Sequence, residues 1–265
     1  MKLKGKVALV TGAARAIGRA HAVRLARLGA DVIINDINLE AFKEFDEKIT
    51  APTVMDECRA VGVRSIGIEA DVGKKDEVNA MVKQALVEFG HIDILINNAG
   101  GGTGDIPNSF ASIVSEKDLH ATLDRNLMGT IFCCQAVAPS MKEQKWGRIV
   151  TTSSQAGMRA QDGGFYAPYG VAKAGIIAYT RYLAQELGPF GITVNCLAPA
   201  YVSTGRLEAI AYSRPGNREK TIAQVPLGRL AEPEDIAKVM EFFVTDLGDY
   251  VTGQCLSVCG GAIRF

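Results

Sequence analysis

Short apolar runs recur along the chain, separated by segments with apolar residues at helical spacing. The runs carry apolar side chains at successive positions, and they occupy residues 6–11, 31–35, 64–69, 92–96, 148–152 and 192–197. Strands of this kind are buried on both faces, as in a parallel sheet covered by helices. The pattern therefore predicts an α/β fold with a doubly wound parallel sheet.

Long helices are predicted between these strands, because apolar residues recur at intervals of three and four. Gly29, Gly90 and Gly188 end three of them, as expected of a residue that commonly closes helices. The predicted helices span 17–28, 75–89, 116–141 and 169–187, and a further helix begins near residue 233.

The segment 39–61 is long for a single crossover between strands. Pro52 divides it, which predicts one helix over 39–49 and a second helix that begins at Thr53. We expect this segment to be an extension of the common strand-helix-strand pattern.

A second irregular segment covers residues 200–226 and contains Gly205 and Pro226. Long irregular stretches in compact domains are usually lids or binding loops, so we expect a substrate lid here. No internal repeat or linker divides the chain. Residues 1–265 are therefore predicted to form one domain.

The charges of the chain balance, with 29 basic and 29 acidic residues among 265. No global field attracts nucleic acid or an anionic membrane, so a small molecule is the expected partner. The apolar run behind the N-terminal lysines is too short for a secretion signal, and no run approaches the roughly 20 residues of a membrane span. We expect a soluble, cytoplasmic protein.

Six cysteines and three histidines lack the spacing of metal ligands. The cysteines are expected to be reduced, buried thiols, and the sequence predicts neither a metal site nor a disulfide framework.

A glycine-containing turn, Thr11-Gly-Ala-Ala-Arg-Ala-Ile-Gly18, joins the first strand to the first helix. Gly12 lets the chain turn sharply, and free N–H groups at the helix start attract the diphosphate of a dinucleotide. Asp36 ends the second strand, where its carboxylate can accept hydrogen bonds from the adenosine ribose and would repel a 2′-phosphate. Arg15 could instead pair with that phosphate. We give Asp36 the greater weight and expect NAD, with NADP less favoured.

Two tyrosines, Tyr166 and Tyr169, precede Lys173. Residues four apart on a helix share a face, so Tyr169 and Lys173 can meet, and a nearby ammonium lowers the pKa of a phenol. Pro168 fits the first turn of a helix and is expected to hold Ala167 extended, which leaves Tyr166 in the preceding loop. We therefore predict Tyr169 as general acid/base, with Tyr166 either in the substrate wall or in packing.

Seven short motifs follow one another along the chain: Thr11-Gly-x-x-x-Ala-x-Gly18, Asp71-Val72, Asn97-Asn-Ala-Gly100, Asn126, Ser153-Ser154, Tyr169-x-x-x-Lys173 and Asn195-x-x-x-Pro199. In their order and spacing the chain resembles the short-chain dehydrogenase/reductase family over essentially its whole length. The resemblance implies a Rossmann-like sheet of about seven strands, a nicotinamide dinucleotide across the carboxyl ends of the strands, and a homotetramer or homodimer. Ala16 stands where the family frequently has glycine.

By this resemblance, Asp71 and Val72 would hold the adenine, and Asn98 with its neighbours would line the cofactor cleft. Val202 and Thr204 would contact the nicotinamide carboxamide. The complete predicted cofactor set is Gly12, Arg15, Ala16, Ile17, Gly18, Asp36, Asp71, Val72, Asn98, Ala99, Gly100, Tyr169, Lys173, Pro199, Val202 and Thr204.

The resemblance also implies catalytic roles for Asn126, Ser154, Tyr169 and Lys173. Ser154 would donate a hydrogen bond to the substrate oxygen. Ser153 is the alternative for this role, but successive strand residues face opposite ways, so at most one of the two serines can point into the site. We choose Ser154. Lys173 would also contact the cofactor ribose. Asn126 would hold a water molecule that links Lys173 to solvent.

The expected enzyme is an NAD(P)-dependent oxidoreductase, NAD preferred, that transfers a hydride between NAD(H) and a secondary alcohol or ketone. Apolar lid residues favour an apolar or cyclic substrate, and the predicted substrate contacts are Ser154, Gln155, Tyr166, Tyr169, Tyr201 and Leu207. One alternative is a reductase of 3-oxoacyl thioesters of acyl carrier protein or coenzyme A, which would usually favour NADPH. The other is a catalytically silent NAD-binding protein, which the intact catalytic positions disfavour.

Overall fold

A parallel sheet forms the centre of the computed structural model, which describes residues 2–45, 47–104 and 106–263. The strands within these residues pair in the order β3-β2-β1-β4-β5-β6-β7, and every pair is parallel. They are β1 (Val7–Thr11), β2 (Asp31–Asp36), β3 (Ser65–Glu69), β4 (Ile94–Asn97), β5 (Gly147–Thr152), β6 (Ile192–Pro199) and β7 (Cys255–Val258). The predicted single-domain, doubly wound α/β fold is confirmed.

Helices cover both faces of this sheet. One buried cluster joins α1, α2 and α9 to the sheet, and another joins α3, α5 and α6 to the opposite face. None of the described helices is long and apolar enough to cross a membrane. The helices are α1 (Ala16–Leu28), α2 (Val54–Arg59), α3 (Lys75–Phe89), α4 (Glu116–Leu123), α5 (Gly129–Gln144), α6 (Ala167–Leu187), α7 (Gly205–Ile210), α8 (Asn217–Ile222) and α9 (Pro233–Val244).

The continuous apolar runs arise because β1, β2, β4, β5 and β6 each contribute side chains to both clusters. In β1, Ala8 and Val10 belong to the cluster beneath α1, whereas Val7 and Leu9 belong to the cluster on the other face. Fully burying one large aliphatic side chain stabilises a fold by about 1.5–3 kcal/mol relative to leaving it exposed. A polar residue inside such a strand would lose this contribution on one face.

The sheet order changes direction between β1 and β4. The chain builds outward from β1 through β2 to β3, and then returns to place β4 on the other side of β1. Connections leave the carboxyl ends of these neighbouring strands toward opposite faces, which opens a crevice between them. Thr11 and Asn97 end the two strands at this crevice.

Helix ends follow most of the predicted signals. Gly29 and Gly90 close α1 and α3 in left-handed conformations, with φ of 99° and 82°. Thr53 begins α2, and its hydroxyl accepts a hydrogen bond from the Asp56 N–H at 3.1 Å. Gly188 is right-handed at the end of α6 and leads into a further short turn of 3₁₀ helix.

The helix predicted over 39–49 is wrong. Ala41–Phe45 form only a 3₁₀ turn, and Glu47 lies outside any helix. Asp46 lies outside the described residues. The segment turns toward the start of α1, where Phe45 packs against Arg15. These tertiary contacts outweigh the weak helical preference of the sequence.

The helix predicted over 116–141 is also divided. A π segment, Asp124–Met128, separates α4 from α5, and α5 continues to Gln144. A π segment widens one helical turn and commonly lies beside a functional site. It holds Asn126, one of the predicted catalytic residues, and leaves that residue fully buried.

His21 gives the fold an expected pH dependence. The residue is completely buried in α1, and both of its ring nitrogens lack hydrogen-bond partners among the described residues. Burial lowers its pKa to about 3, whereas the unfolded chain protonates histidine near pH 6.5. As the pH falls from about 6.5 toward 3, only the unfolded state gains this proton. The free energy of unfolding should therefore fall by up to ~1.4 kcal/mol per pH unit from this residue.

His21→Leu is expected to remove this contribution. The test measures the free energy of unfolding in urea at about pH 7, 6 and 5 and compares how steeply it changes with pH. His120→Gln is the matched control: the His120 side chain is 65% exposed, so this substitution should leave the pH dependence of the free energy of unfolding unchanged. The same pH dependence in His21→Leu as in the unchanged protein would contradict the prediction.

Candidate active site

A cleft of about 730 Å³ opens along the carboxyl ends of the strands. It runs from the glycine turn after β1 to the residues that follow β6, as expected for a crevice at the change of strand order. Every residue predicted to bind the cofactor lines it. The structure brings this set together, and the individual roles stay predictions.

The glycine turn has no room for a side chain at Gly12, where a Cβ would lie 2.7 Å from the Cα of Ala99, or at Gly18. A Cβ on Gly18 would collide with the carbonyl oxygen of Gly12 and lie 2.7 Å from the amide nitrogen of Asn98. That amide donates hydrogen bonds to the carbonyls of Thr11 and Gly12, at 3.2 and 3.0 Å. Asn98 therefore fixes the turn against the end of β4, and glycine at 18 is a steric requirement.

The start of α1 has the character of an anion site. Ala16 has a positive φ of 49°, and the side chain of the N-cap residue, Arg15, makes no capping hydrogen bond. The Ala16 N–H donates to a carboxylate oxygen of Glu47 at 2.7 Å. A negative group is thus already held at the positive end of the helix, where a phosphate oxygen would be stabilised in the same way. The turn and helix start fit the diphosphate of a dinucleotide.

Asp36 stands at the end of β2 on the lining of the cleft. Its carboxylate accepts hydrogen bonds from the Ala14 N–H at 3.1 Å and the Ile37 N–H at 2.8 Å. Burial raises the pKa of Asp36, while these backbone bonds and the positive charge of Arg15 oppose the rise. The carboxylate keeps a position from which it can accept bonds from ribose hydroxyls.

Lys173 carries its ammonium into the buried end of the cleft. Its side chain is nearly inaccessible to solvent, and Nζ donates to the Thr152 carbonyl at 2.8 Å. Burial lowers the pKa of Lys173 to about 8. The group therefore remains mostly cationic at neutral pH, 5.5 Å from the centre of the Tyr169 ring.

Tyr169 lies on the same face of α6 as Lys173, as the four-residue spacing predicts. Burial is the largest influence on its phenol and raises the pKa, and Tyr166 raises it further. A hydrogen bond with Ser154 and the positive charge of Arg206 act in the opposite direction and lower it. The Tyr169 phenol, the Ser154 hydroxyl and the Arg206 guanidinium therefore lie close enough to influence one another.

Tyr166 precedes α6 in a left-handed conformation with φ of 66°. The prediction that Pro168 holds Ala167 extended is wrong, because α6 begins at Ala167 and the proline occupies its first turn. The break in helical geometry falls one residue earlier, at Tyr166. Its ring stacks on that of Tyr169, with centroids 4.4 Å apart and planes 15° from parallel.

The two adjacent serines face different ways. The Ser153 hydroxyl is buried and donates to the Lys173 carbonyl at 2.7 Å, so it anchors α6 to β5. Ser154 lines the cleft and forms the hydrogen bond with Tyr169. Its hydroxyl also accepts from the Ala156 N–H at 3.2 Å. This arrangement agrees with the choice of Ser154 over Ser153.

Asn126 holds the loop after β4 in place. Its amide donates to the carbonyls of Thr122 and Gly101, at 2.8 and 3.0 Å, and its side-chain oxygen accepts from the Gly101 N–H at 2.9 Å. A Cβ on Gly100 would lie 2.5 Å from that oxygen and 3.3 Å from the Lys173 ammonium. The Asn126 side chain therefore lies near the Lys173 ammonium, with Gly100 beside both.

The predicted substrate contacts separate into two groups. Ser154, Tyr169 and Leu207 line the cleft, whereas Gln155 is buried and Tyr201 is turned away, donating its hydroxyl proton to Gln224 at 3.1 Å. Tyr166 meets the site through its stacking on Tyr169.

Among the lining residues that sequence reasoning missed, Ala41, Glu44 and Phe45 reach the cleft from the 39–61 extension. The unusual length of the crossover was the one signal for them. Arg206, which lies within the predicted lid, reaches the cleft from α7, and its guanidinium donates to the Gly102 carbonyl at 3.1 Å.

Comparisons with known proteins agree with this geometry. A family model described as enoyl-(acyl carrier protein) reductase matches residues 12–262. The cyclohexanol dehydrogenase of Rhodococcus sp. (strain TK6) is 52% identical over 264 residues, covering 98% of this chain and 97% of that protein. The chain belongs to the short-chain dehydrogenase/reductase family.

Two further members support the assignment to this family. The (2S)-[(R)-hydroxy(phenyl)methyl]succinyl-CoA dehydrogenase subunit BbsD of Thauera aromatica is 42% identical and covers 100% of this chain and 99% of its own. The crystal structure of NAD⁺-bound xylitol dehydrogenase is 31% identical with a TM-score of 0.86, covering 98% of this chain and 100% of that one. The chain is an oxidoreductase of this family that acts on alcohol groups and uses a nicotinamide cofactor.

Proposed function

We propose that the protein is an NAD-dependent secondary-alcohol dehydrogenase or ketone reductase acting on an apolar or cyclic substrate. The observation that carries this proposal is the Tyr169 phenol, hydrogen-bonded to Ser154 and set beside the buried ammonium of Lys173 in a cleft with a dinucleotide cradle. A hydroxyl group and its carbonyl counterpart differ by a hydride and a proton. The phenol is the group placed to move the proton.

Each catalytic side chain has a distinct task in this proposal. A nicotinamide cofactor held in this cleft would supply or accept the hydride. Tyr169 exchanges the proton with the substrate oxygen, and Ser154 donates a hydrogen bond to that oxygen as its charge develops. The hydrogen bond with Ser154 and the positive charge of Arg206 lower the pKa of the Tyr169 phenol against the burial that raises it. The Lys173 ammonium, 5.5 Å from the centre of the ring, is a second positive charge that would favour the phenolate. Asn126, through Gly101, keeps the loop beside Lys173 in position.

Preference for NAD over NADP is supported by the position of Asp36. Its carboxylate lies on the cleft lining, anchored by backbone N–H groups, where it can bind ribose hydroxyls. A 2′-phosphate at this point would bring further negative charge against it, which costs free energy in a partly buried site. NADP is accordingly the less favoured cofactor.

The proposed substrate class rests on one relative, 52% identical, and on the apolar side chains of the lid. The 52% identical relative is a cyclohexanol dehydrogenase, and Leu207 and Ile210 of α7 present apolar side chains to the cleft. We assign residues 200–226 as the substrate lid and 39–61 as the crossover extension of a single domain.

Assembly and location extend the same proposal. Helix α6 exposes Val171 and Tyr182, at 59% and 80% of their surfaces, which suits a homodimer or homotetramer that covers this face. Free cysteines and a dinucleotide cofactor suit a reducing cytoplasm.

A thioester reductase is the second candidate. Arg206 places a positive charge in the cleft, where it could bind an anionic substituent, and the 42% identical relative is named for a coenzyme A thioester. The intact Ser154, Tyr169 and Lys173 argue against a catalytically silent protein.

One assay separates these candidates. The absorbance of NADH or NADPH is followed with cyclic, aryl and short secondary alcohols and with 3-hydroxyacyl thioesters, each with NAD and with NADP. We expect turnover of cyclic alcohols with NAD, because the cleft combines an apolar lid with Asp36. Turnover confined to thioesters with NADP would overturn both the substrate class and the cofactor preference, and turnover of nothing in the panel would favour the silent protein.

Tyr169→Phe is expected to lower kcat about 100- to 10,000-fold, because it removes the proton donor and keeps the ring. Tyr166→Phe is the matched control, since it alters the stacked partner without touching the proton pathway, and should retain most activity. Both variants are measured by NADH formation from cyclohexanol. Full activity in Tyr169→Phe would refute the catalytic assignment.

A further inference from the structure

The 39–61 extension places a turn, residues 41–45 and 47, against the cofactor end of the cleft. Ala41, Glu44 and Phe45 line the cleft beside Asp36 and Arg15. We propose that Glu44, positioned with Phe45 on this turn, is a specificity-determining residue that prevents Arg15 from binding the 2′-phosphate of NADP. The inference rests on the proposed NAD-dependent function and deepens it.

Arg15 is the group on which selectivity depends. It stands in the glycine turn, and its charge acts on the Asp36 carboxylate, so it lies close to the expected position of the adenosine ribose. A guanidinium there would pair with a 2′-phosphate through two parallel hydrogen bonds. Left free, Arg15 would therefore counteract the discrimination that Asp36 supplies.

The turn restrains this guanidinium in two ways. The Phe45 ring packs on it, with the guanidinium carbon 4.9 Å from the ring centre, and Glu44 Oε2 lies 3.9 Å from Arg15 Nε. The ring fixes the side chain's direction, and the carboxylate offsets its charge. Two carboxylates, those of Asp36 and Glu44, then surround the single positive charge of Arg15, so the net charge at the ribose end of the cleft is negative.

Removing the Glu44 charge isolates this effect. Glu44→Gln keeps the side chain's size, and half of the Glu44 side chain is solvent-exposed, so the fold should be unaffected. We expect NADPH to bind about three- to ten-fold more tightly, while NADH affinity changes by less than about two-fold. Equilibrium binding of each nucleotide is measured by its fluorescence without substrate. Glu40→Gln is the control, because Glu40 lies on the same exposed segment but pairs with Lys43.

The outcomes separate the inference from the function on which it rests. Failure of the unchanged protein to bind either nucleotide would overturn both. Tight binding of NADH with an NADPH-to-NADH ratio unchanged in Glu44→Gln, or an equal change in Glu40→Gln, would overturn the inference alone. A selective gain for NADPH in Glu44→Gln would support it.

A second inference rests on a different contact of the same turn. Glu47 presents one carboxylate oxygen to the Ala16 N–H at 2.7 Å, and its other oxygen is buried with no hydrogen-bond partner among the described residues. The first oxygen occupies the anion position at the start of α1. We infer that Glu47 is an internal competitor of the cofactor diphosphate and must leave Ala16 before a dinucleotide binds.

Glu44 and Glu47 make different predictions: Glu44→Gln should affect NADPH alone, and Glu47→Gln should affect both nucleotides. NADH and NADPH share the diphosphate, so Glu47→Gln should tighten the binding of both by a similar factor of about two to ten. Glutamine can still accept the Ala16 hydrogen bond, but it loses the charge that competes with phosphate. The same fluorescence titration measures both affinities, with Glu40→Gln as control. Weaker or unchanged binding of both nucleotides in Glu47→Gln would overturn this inference.

Discussion

The buried ammonium of Lys173 is the constraint on which the rest of the site depends. A charge removed from water destabilises a fold unless polar groups compensate, and here the Thr152 carbonyl accepts from Nζ at 2.8 Å. Gly100 lies opposite it, and a Cβ there would come within 2.5 Å of the Asn126 side-chain oxygen and within 3.3 Å of Nζ. The end of β5, the loop after β4 and the π segment with Asn126 must therefore keep their positions around one cation. The same arrangement places the Lys173 ammonium 5.5 Å from the centre of the Tyr169 ring.

The end of the cleft at the glycine turn depends on the backbone instead of a buried charge. There the chain comes close to the expected position of the cofactor diphosphate, so binding requires space for the diphosphate and free backbone N–H groups. Asn98 connects the two ends, since it follows β4 and its amide bonds the carbonyls of Thr11 and Gly12. A displacement of the loop after β4 would thus affect both Lys173 and the glycine turn at the start of α1.

The sequence was most informative where geometry is set locally. The pairing of Tyr169 with Lys173 follows from helical spacing, and the opposite directions of Ser153 and Ser154 follow from the pleat of a strand. The positions of Phe45 and Glu47 could not be predicted in this way, because contacts with α1, distant in sequence, override the local helical pattern. The π segment at Asn126 was equally hidden, since its apolar spacing continues that of the flanking helices.

The 39–61 segment and helix α7 also constrain each other. Gly205 begins α7, and a Cβ there would lie 2.7 Å from the Cβ of Phe45 and 3.3 Å from Cγ of Glu47. The same α7 carries Arg206 and Leu207 into the cleft. Because the backbone of α7 touches the turn that restrains Arg15, α7 cannot move toward the cofactor end without displacing Phe45. Helix α7 and the turn that carries Phe45, which both line the cleft, therefore share one contact, and the absence of a side chain on Gly205 allows it.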